Sequence, residues 1–286
     1  MKLANVLYKL YVDPWAIVPA AHANLCAIVD DHFSGRAHAP GGRLEAFMSG
    51  TPGEDDEDAT GYSLVGEAAL IEINGVIGRR VGALEKSSGV ADVLDIERSV
   101  KAALAGGAKG ILFSFDSPGG SVSGVPELAA YLAEVNASVP VVAYCDGLCC
   151  SAAYWLASSA SLIVSGKTAQ SGSIGVYQAF LDNSREQEMA GRKVELFSTG
   201  KFKGMGISGL PLTEEQRALL QSRVDQVFGW FKSAVNAGRG KVPDEAMQGQ
   251  SYYGEDARKV NLVDMIGSRE DAVDELNALI ARKGKA

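Results

Sequence analysis

The sequence contains little histidine, and what it contains lies near one end. The three histidines are His22, His32 and His38, so none follows residue 38 of the 286-residue chain. A Ser-His-Asp triad uses histidine as its general base, and the chain beyond residue 38 cannot build one. Acid–base chemistry in that part of the chain must therefore use Lys, Asp, Glu, Tyr or Cys.

Cysteine and net positive charge are also scarce. Of the four cysteines, Cys145, Cys149 and Cys150 lie within six residues and Cys26 lies far away. This spacing favours reduced thiols over a disulfide framework, and without a second ligand cluster we predict no metal site. The net charge of −8 argues against nonspecific binding to nucleic acid or to an anionic membrane.

No run of 18 or more apolar residues is present, so the sequence predicts no membrane anchor. The mostly apolar run at residues 15–21 follows Asp13-Pro14 and contains Pro19. It is too short for the apolar core of a signal peptide. We therefore expect the protein to act in the cytoplasm of the cell that makes it.

A change in composition divides the chain near residue 60. Residues 49–53 are Ser-Gly-Thr-Pro-Gly, and residues 54–58 are Glu-Asp-Asp-Glu-Asp. Small, turn-forming and acidic residues together are typical of an exposed linker. We predict that residues 1–60 form an N-terminal extension with an acidic linker, and that residues 61–286 form one folded domain.

Beyond the linker, apolar runs alternate with segments of helical periodicity. The predicted strands are Glu67–Ile73, Gly110–Phe115, Val139–Tyr144, Leu162–Val164 and Val194–Phe197. The predicted helices are Val90–Leu104, Val125–Val135, Ser151–Ala160, a long helix capped by Thr213 and ending near Asn236, and Asp271–Ala281. Strands separated by single helices indicate an α/β fold with a mostly parallel sheet.

A serine stands where the third of these strands leads into a helix of small residues. The segment is Asp146-Gly147-Leu148-Cys149-Cys150-Ser151-Ala152-Ala153, and we expect the chain to turn at the glycine. At a helix start, free N–H groups favour developing negative charge, which suits a nucleophile. Serine is also a common helix cap with no further role, so the residues by themselves leave both interpretations open.

Two glycines follow a proline at the end of another buried strand, in Asp116-Ser117-Pro118-Gly119-Gly120-Ser121. Their N–H groups could face a ligand and form an oxyanion hole, which holds the negative charge of a tetrahedral intermediate. The alternative is an ordinary turn between a strand and a helix.

Two lysines, Lys201 and Lys203, lie in Gly200-Lys201-Phe202-Lys203-Gly204-Met205. A free lysine has a pKa near 10.4, so only about one in 2,500 is neutral at pH 7. Desolvation would lower that pKa and make a lysine usable as a base. Phe202, Gly204 and Met205 suggest burial of Lys203, although a surface charge is the common role of a lysine.

Taken in order, these segments resemble the signal peptide peptidase A family of Ser–Lys proteases over about residues 65–268. The matching blocks are Asp116–Gly120, Cys150–Tyr154, Gly172–Val176, Gly200–Gly204, and Tyr253–Ala257 followed by Asn261–Asp264. Five blocks in a fixed order are far more specific than any one of them. One departure is Ala152-Ala153, where family members usually have glycines.

The resemblance implies a ClpP/crotonase-type fold, a spiral of β-β-α units. It implies Ser151 as the nucleophile and Lys203 as the general base, with Lys201 as a rival for that role. It places oxyanion donors at Gly120 or Gly119, with the N–H of Ala152 as a further donor, and it gives Ser173 a role in orienting the lysine. No cofactor is implied.

The opening segment Asp13-Pro14-Trp15-Ala16-Ile17 resembles the bacteriophage branch of this family. Members of that branch resemble head-maturation proteases that cut scaffold and capsid proteins during prohead assembly. The resemblance therefore implies protein substrates, a homo-oligomeric ring, and a location in the bacterial host cell or with the prohead.

Three alternatives remain open at this point. A crotonase-type enzyme acting on acyl-thioesters would share the fold, and a non-enzymatic capsid assembly protein could retain it. A cysteine nucleophile at Cys149 or Cys150 has no histidine to pair with in the predicted domain.

Overall fold

The computed structural model describes residues 14–33, 61–82, 86 and 89–284. In chain order, its strands are β1 (Trp15–Ile17), β2 (Ser63–Val65), β3 (Ala68–Asn74), β4 (Ile77–Gly78), β5 (Ala91–Asp92), β6 (Gly110–Ser117), β7 (Gly119–Ser121), β8 (Val141–Cys150), β9 (Leu162–Ser165), β10 (Gln170–Gly172), β11 (Ser251–Tyr253) and β12 (Met265–Ile266). Its helices are α1 (Pro19–Phe33), α2 (Val93–Ala105), α3 (Val125–Ser138), α4 (Ala152–Ala157), α5 (Ser184–Met189), α6 (Glu214–Arg239), α7 (Gly254–Lys259) and α8 (Arg269–Lys283).

The larger sheet has the order β11-β10-β8-β6-β3-β2, and β9 pairs with both β8 and β12. The central pairs β3–β6, β6–β8, β8–β9 and β8–β10 are parallel, whereas β2 and β11 join the ends of this order antiparallel. The prediction of a mostly parallel sheet is confirmed. Strand β6 is buried on both faces over most of its length, which explains its mostly apolar sequence.

The smaller sheet has the order β1-β7-β4-β5. The chain repeatedly crosses from the larger sheet into this one and then enters a helix. Strand β3 is followed by β4, β5 and α2, and β6 is followed by β7 and α3. In both cases a strand of the larger sheet is followed by one or two strands of the smaller sheet and then by a helix. This repeat confirms the predicted fold class.

Helices cover the two faces of the larger sheet. Leu276 of α8 packs with Leu112 on one face, and the main hydrophobic core lies on the other. In that core the rings of Trp155 in α4 and Phe231 in α6 stack with centroids 4.5 Å apart. The predicted cap of α6 is present, because the Thr213 hydroxyl accepts the Gln216 N–H.

Two local predictions are wrong. Residues 194–197 form no strand and project into solvent, because no neighbouring strand pairs with their backbone. Strand β8 does not turn at Gly147 but continues to Cys150. The Asp116 carboxylate accepts the Leu148 N–H at 2.9 Å and lies where a side chain at Gly147 would clash, so only glycine fits at this irregular point of the β6–β8 pairing.

The described part of the N-terminal region packs against the rest of the molecule. Strand β1 pairs with β7, and His22 of α1 is nearly buried with its Nδ1 2.8 Å from the Tyr177 hydroxyl. The acidic residues 54–58 lie outside the described residues. The division at residue 60 stays a prediction.

In the part of the chain that the structure describes, no helix is long and apolar enough to span a bilayer.

Candidate active site

Ser151 lies at the junction between the end of β8 and the start of α4. Its backbone has φ 57° and ψ −118°, a conformation that a residue with a side chain rarely adopts. Only 1% of its surface is exposed. Such strain costs on the order of 1–3 kcal/mol and persists where the surroundings enforce it, most often at functional sites.

The surroundings of Ser151 enforce this conformation through the backbone. Its N–H donates to the Gly172 carbonyl at 2.7 Å, which extends the pairing of β8 with β10 past the strand end. Its Oγ lies 3.5 Å from the carbonyl oxygen of Gly175. Helix α4 has only six residues, so its dipole contributes less than the predicted ten-residue helix would.

Gly119 and Gly120 form the first part of β7, beside Ser151. A Cβ on Gly119, which has φ +98°, would lie 2.9 Å from the Ser151 Cβ and 2.9 Å from the Cys150 carbonyl oxygen. A Cβ on Gly120 would lie 1.9 Å from the Ile77 carbonyl oxygen. Only glycine fits at either position, and the Pro-Gly-Gly segment therefore lies against the nucleophile candidate.

Two further predicted residues belong to the same neighbourhood. Ala152 is the first residue of α4, so its N–H has no acceptor within the helix. Ser173 is buried with φ 51° and directly follows Gly172, whose carbonyl accepts the Ser151 N–H. The structure thus brings Ser151, Gly119, Gly120, Ala152 and Ser173 together.

Lys203 is not brought to Ser151. It lies in the segment of residues 178–210, which we call the arm. Its backbone N–H donates to the Gly200 carbonyl at 3.2 Å. The expected burial of Lys203 is wrong for the single chain, because its side chain is exposed. That side chain makes no hydrogen bond or ion pair with any other residue that the structure describes.

Lys201, the rival base, has a different environment. Its Nζ lies 2.9 Å from a carboxylate oxygen of Glu215 and 5.3 Å from the centre of the Phe202 ring. This ion pair occupies the Lys201 amine, which would have to leave Glu215 to reach a serine hydroxyl. The difference favours Lys203 over Lys201.

The cysteines beside Ser151 are unsuited to nucleophilic chemistry. Burial raises the pKa of the Cys150 thiol to about 12, and burial raises the pKa of Cys149 well above its usual value. Both therefore remain protonated at neutral pH, whereas a nucleophilic cysteine must be a thiolate. Among the described residues no group of three or more His, Cys, Asp or Glu could hold a metal ion.

Sequence analysis missed several residues that shape this site. Asp116 was read only as part of a motif, yet its carboxylate accepts the Leu148 N–H and so supports the end of β8. Asp264, in the last matching block, is structural: it accepts the Ile163 N–H at 2.7 Å and pairs with Arg239. Strand β1 beside β7 was not predicted at all, because its partners are about a hundred residues away.

Residues 133–282, just over half of the chain, match the model of Peptidase family S49. The chain belongs to peptidase family S49. This matched range contains both Ser151 and Lys203, and the resemblance to signal peptide peptidase A proteases is confirmed.

Relatives within the S49 family include phage and bacterial proteins. Capsid assembly protease C of Escherichia phage lambda is 32% identical over 239 residues, 82% of this chain and 54% of that protein. Head-tail preconnector protein GP5 of Enterobacteria phage P21 is 26% identical over 282 residues, 95% of this chain and 56% of that protein. Protease 4 of Salmonella typhi is 30% identical over 169 residues, 58% of this chain and 27% of that protein. The chain thus spans about half the length of its two phage relatives.

Proposed function

We propose that this chain is a serine endopeptidase in which Ser151 is the nucleophile and Lys203 the general base. The observation that carries the proposal is the strained, buried Ser151 against Gly119 and Gly120 of β7, in a chain of the S49 family. The raised thiol pKa of Cys150 argues against the cysteine alternative. Membership of a peptidase family argues against the acyl-thioester alternative.

The reaction is acyl transfer. Neutral Lys203 takes the proton of the Ser151 hydroxyl while Oγ attacks the carbonyl carbon of a substrate peptide bond. The N–H groups of Gly120 and Ala152 stabilise the resulting oxyanion. The lysine then gives its proton to the leaving amine, and water hydrolyses the acyl-enzyme to restore Ser151.

This mechanism requires the arm to carry Lys203 to a Ser151. We infer that it does so when copies of the chain assemble into a homo-oligomeric ring. The arm exposes large apolar side chains that a neighbouring copy could cover, namely Leu181 (83% exposed), Met189 (81%) and Phe197 (90%). A lysine whose side chain bonds to none of the described residues of its own chain suits a group that becomes part of a site on assembly.

The substrates that we propose are phage scaffold and capsid proteins in a bacterial host cell, cut during prohead maturation. The names of the lambda and P21 relatives support this choice. The net charge of −8 agrees with a role that does not depend on nucleic acid.

The test is cleavage of unfolded casein and of a candidate scaffold protein by four forms of the chain. These are the wild type, Ser151→Ala, Lys203→Ala and Lys201→Ala, each checked for folding by circular dichroism. We expect Ser151→Ala and Lys203→Ala to lose on the order of 10³-fold or more in rate, because each removes a group required for acyl transfer. Lys201→Ala should remain within a few-fold of wild type.

Two outcomes would contradict the assignment. Equal cleavage by wild type and Ser151→Ala excludes Ser151 as the nucleophile. An inactive Lys201→Ala beside an active Lys203→Ala keeps the Ser–Lys mechanism but moves the base to Lys201.

A mixing experiment tests how the arm delivers its lysine. The inactive Ser151→Ala and Lys203→Ala chains are unfolded together, refolded together and assayed. If Lys203 acts on the Ser151 of a neighbouring copy, the mixture should regain a measurable share of wild-type activity. If the arm folds onto its own chain, the mixture should be as inactive as either variant alone.

A further inference from the structure

Strand β1 lies in a cleft directly beside Ser151. On one side it pairs antiparallel with β7, placing Ala16 opposite Gly120 and Ile17 opposite Gly119. On the other side, Trp15 exchanges two backbone hydrogen bonds with Tyr177, at 2.9 and 3.0 Å. An extended segment held by backbone bonds on both sides is how a peptide is commonly bound in a cleft.

In a strand, the N–H and carbonyl groups of successive residues point to opposite sides, and this alternation determines which residue of β1 bonds to β7. Because Trp15 directs its N–H and carbonyl to Tyr177, the groups of its neighbour Ala16 point to β7. The flanking bonds agree with this register, since the Pro14 carbonyl accepts the Val122 N–H and the Val18 N–H donates to the Pro118 carbonyl. The Ala16 carbonyl is therefore directed at the N–H of Gly120, the predicted oxyanion donor.

The same carbonyl lies near the nucleophile candidate. A Cβ placed on Gly119 would be 2.3 Å from the Ala16 carbonyl oxygen and 2.9 Å from the Ser151 Cβ. Both atoms thus border the same small space. The carbonyl group of Ala16 therefore lies beside the Ser151 side chain.

The side chains of β1 also contact the rest of the molecule. Ala16 is completely buried, and Trp15 and Ile17 are nearly so. The Trp15 ring lies 4.8 Å from the ring of His22, which contacts Tyr177 on the far wall of the cleft. Burial of this kind stabilises the docked strand by removing apolar surface from water.

We propose that residues 14–18 act as a built-in competitor for the substrate cleft, bound in the register of a substrate with Ala16 beside Ser151. A protein substrate enters only when this segment leaves, so the single chain is a latent protease. The proposal rests on the proposed function where it speaks of proteolysis, but occupancy of the cleft can be measured without catalysis. It also implies that a substrate carries a small residue where Ala16 now lies.

Activity is the first measurement. The full chain carrying Ala16→Trp cannot bury the larger side chain, and Trp15→Asp introduces a charge into an apolar contact, so both should release β1. We expect casein cleavage to rise about 10-fold or more, because the fraction of chains with an open cleft rises by that factor. Leu64→Trp and Leu64→Asp change an exposed residue of β2 and should leave the rate unchanged.

Peptide binding is the second measurement, made in a Ser151→Ala background so that no catalysis is involved. A fluorescein-labelled peptide of residues 14–19 is titrated and followed by fluorescence anisotropy. It should bind the Ala16→Trp chain about 10-fold or more tightly than the chain with Ala16 intact. A peptide with tryptophan in place of its alanine should fail to bind either chain.

The outcomes separate this inference from the proposed function. If no form cleaves casein but the peptide binds selectively to the Ala16→Trp chain, the competitor role stands and the protease assignment fails. Should cleavage occur at equal rates in wild type and in folded Ala16→Trp and Trp15→Asp chains, with no difference in peptide affinity, the competitor role is overturned.

Discussion

Two regions of the molecule are built in opposite ways. One is the shelf, by which we mean residues 149–152 together with Gly119, Gly120 and Gly172, and the other is the arm that carries Lys203. Around Ser151, strand ends, two glycines and a short helix are buried, and the Ser151 N–H and carbonyl are both hydrogen-bonded. Residues 178–210 form one short helix and turns, and Leu181 and Phe197 are mostly exposed to solvent. The proposed nucleophile is thus positioned by the core of one chain, whereas the side chain of the proposed base contacts no hydrogen-bond or ion-pair partner among the described residues.

The contrast is sharpest between two phenylalanines. Phe231→Ala, which removes a ring stacked on Trp155, should lower the free energy of unfolding by about 3–5 kcal/mol. Phe197→Ala removes a ring that is 90% exposed and should change the free energy of unfolding by less than about 0.5 kcal/mol in the isolated chain. Urea denaturation of both variants measures the difference, and a large loss in Phe197→Ala would show that the arm packs more firmly than described.

A pair of glycines tests how closely the shelf is packed. Gly119→Ala should cost about 1–3 kcal/mol and abolish cleavage, because its Cβ would meet the Ala16 and Cys150 carbonyl oxygens and the Ser151 Cβ. Gly229→Ala lies in α6 with no atom within 4 Å of the new Cβ, and should stabilise the chain by about 1 kcal/mol. Thermal unfolding compares the two, and a stable, active Gly119→Ala chain would contradict the close contact with Ser151.

The strain at Ser151 predicts the smallest effect. Ser151→Gly should raise the free energy of unfolding by up to about 1 kcal/mol while eliminating activity, because glycine accepts φ 57° without a steric cost. Ser159→Ala, a serine just beyond α4 whose hydroxyl bonds the Leu156 carbonyl, is the control and should keep full activity. A clear loss of stability in Ser151→Gly would mean that the hydroxyl stabilises the fold more than the backbone strain destabilises it.

The amino-acid sequence determined most of the framework by itself. The apolar run at residues 110–115 predicted a buried strand, and Thr213 followed by Glu214 and Glu215 marked the start of the long helix α6. The order of motifs singled out Ser151 and the Pro118–Gly120 segment, whose catalytic roles stay predictions. The strand and the helix cap were predicted correctly because strand burial and helix capping depend on residues close together in the chain.

Only the tertiary structure decided what surrounds the candidate nucleophile. Asp116, more than thirty residues from Leu148, carries β8 past Gly147 and so moves the turn to Ser151 itself. The pairing of Ala16 with Gly120 likewise joins residues about a hundred positions apart. The exposure of Lys203 reflects the lack of a hydrogen-bond or ion-pair partner among the residues that the structure describes. Local patterns specify elements, but long-range packing determines which elements meet, and here it places the N-terminal strand beside Ser151 and leaves the lysine in solvent.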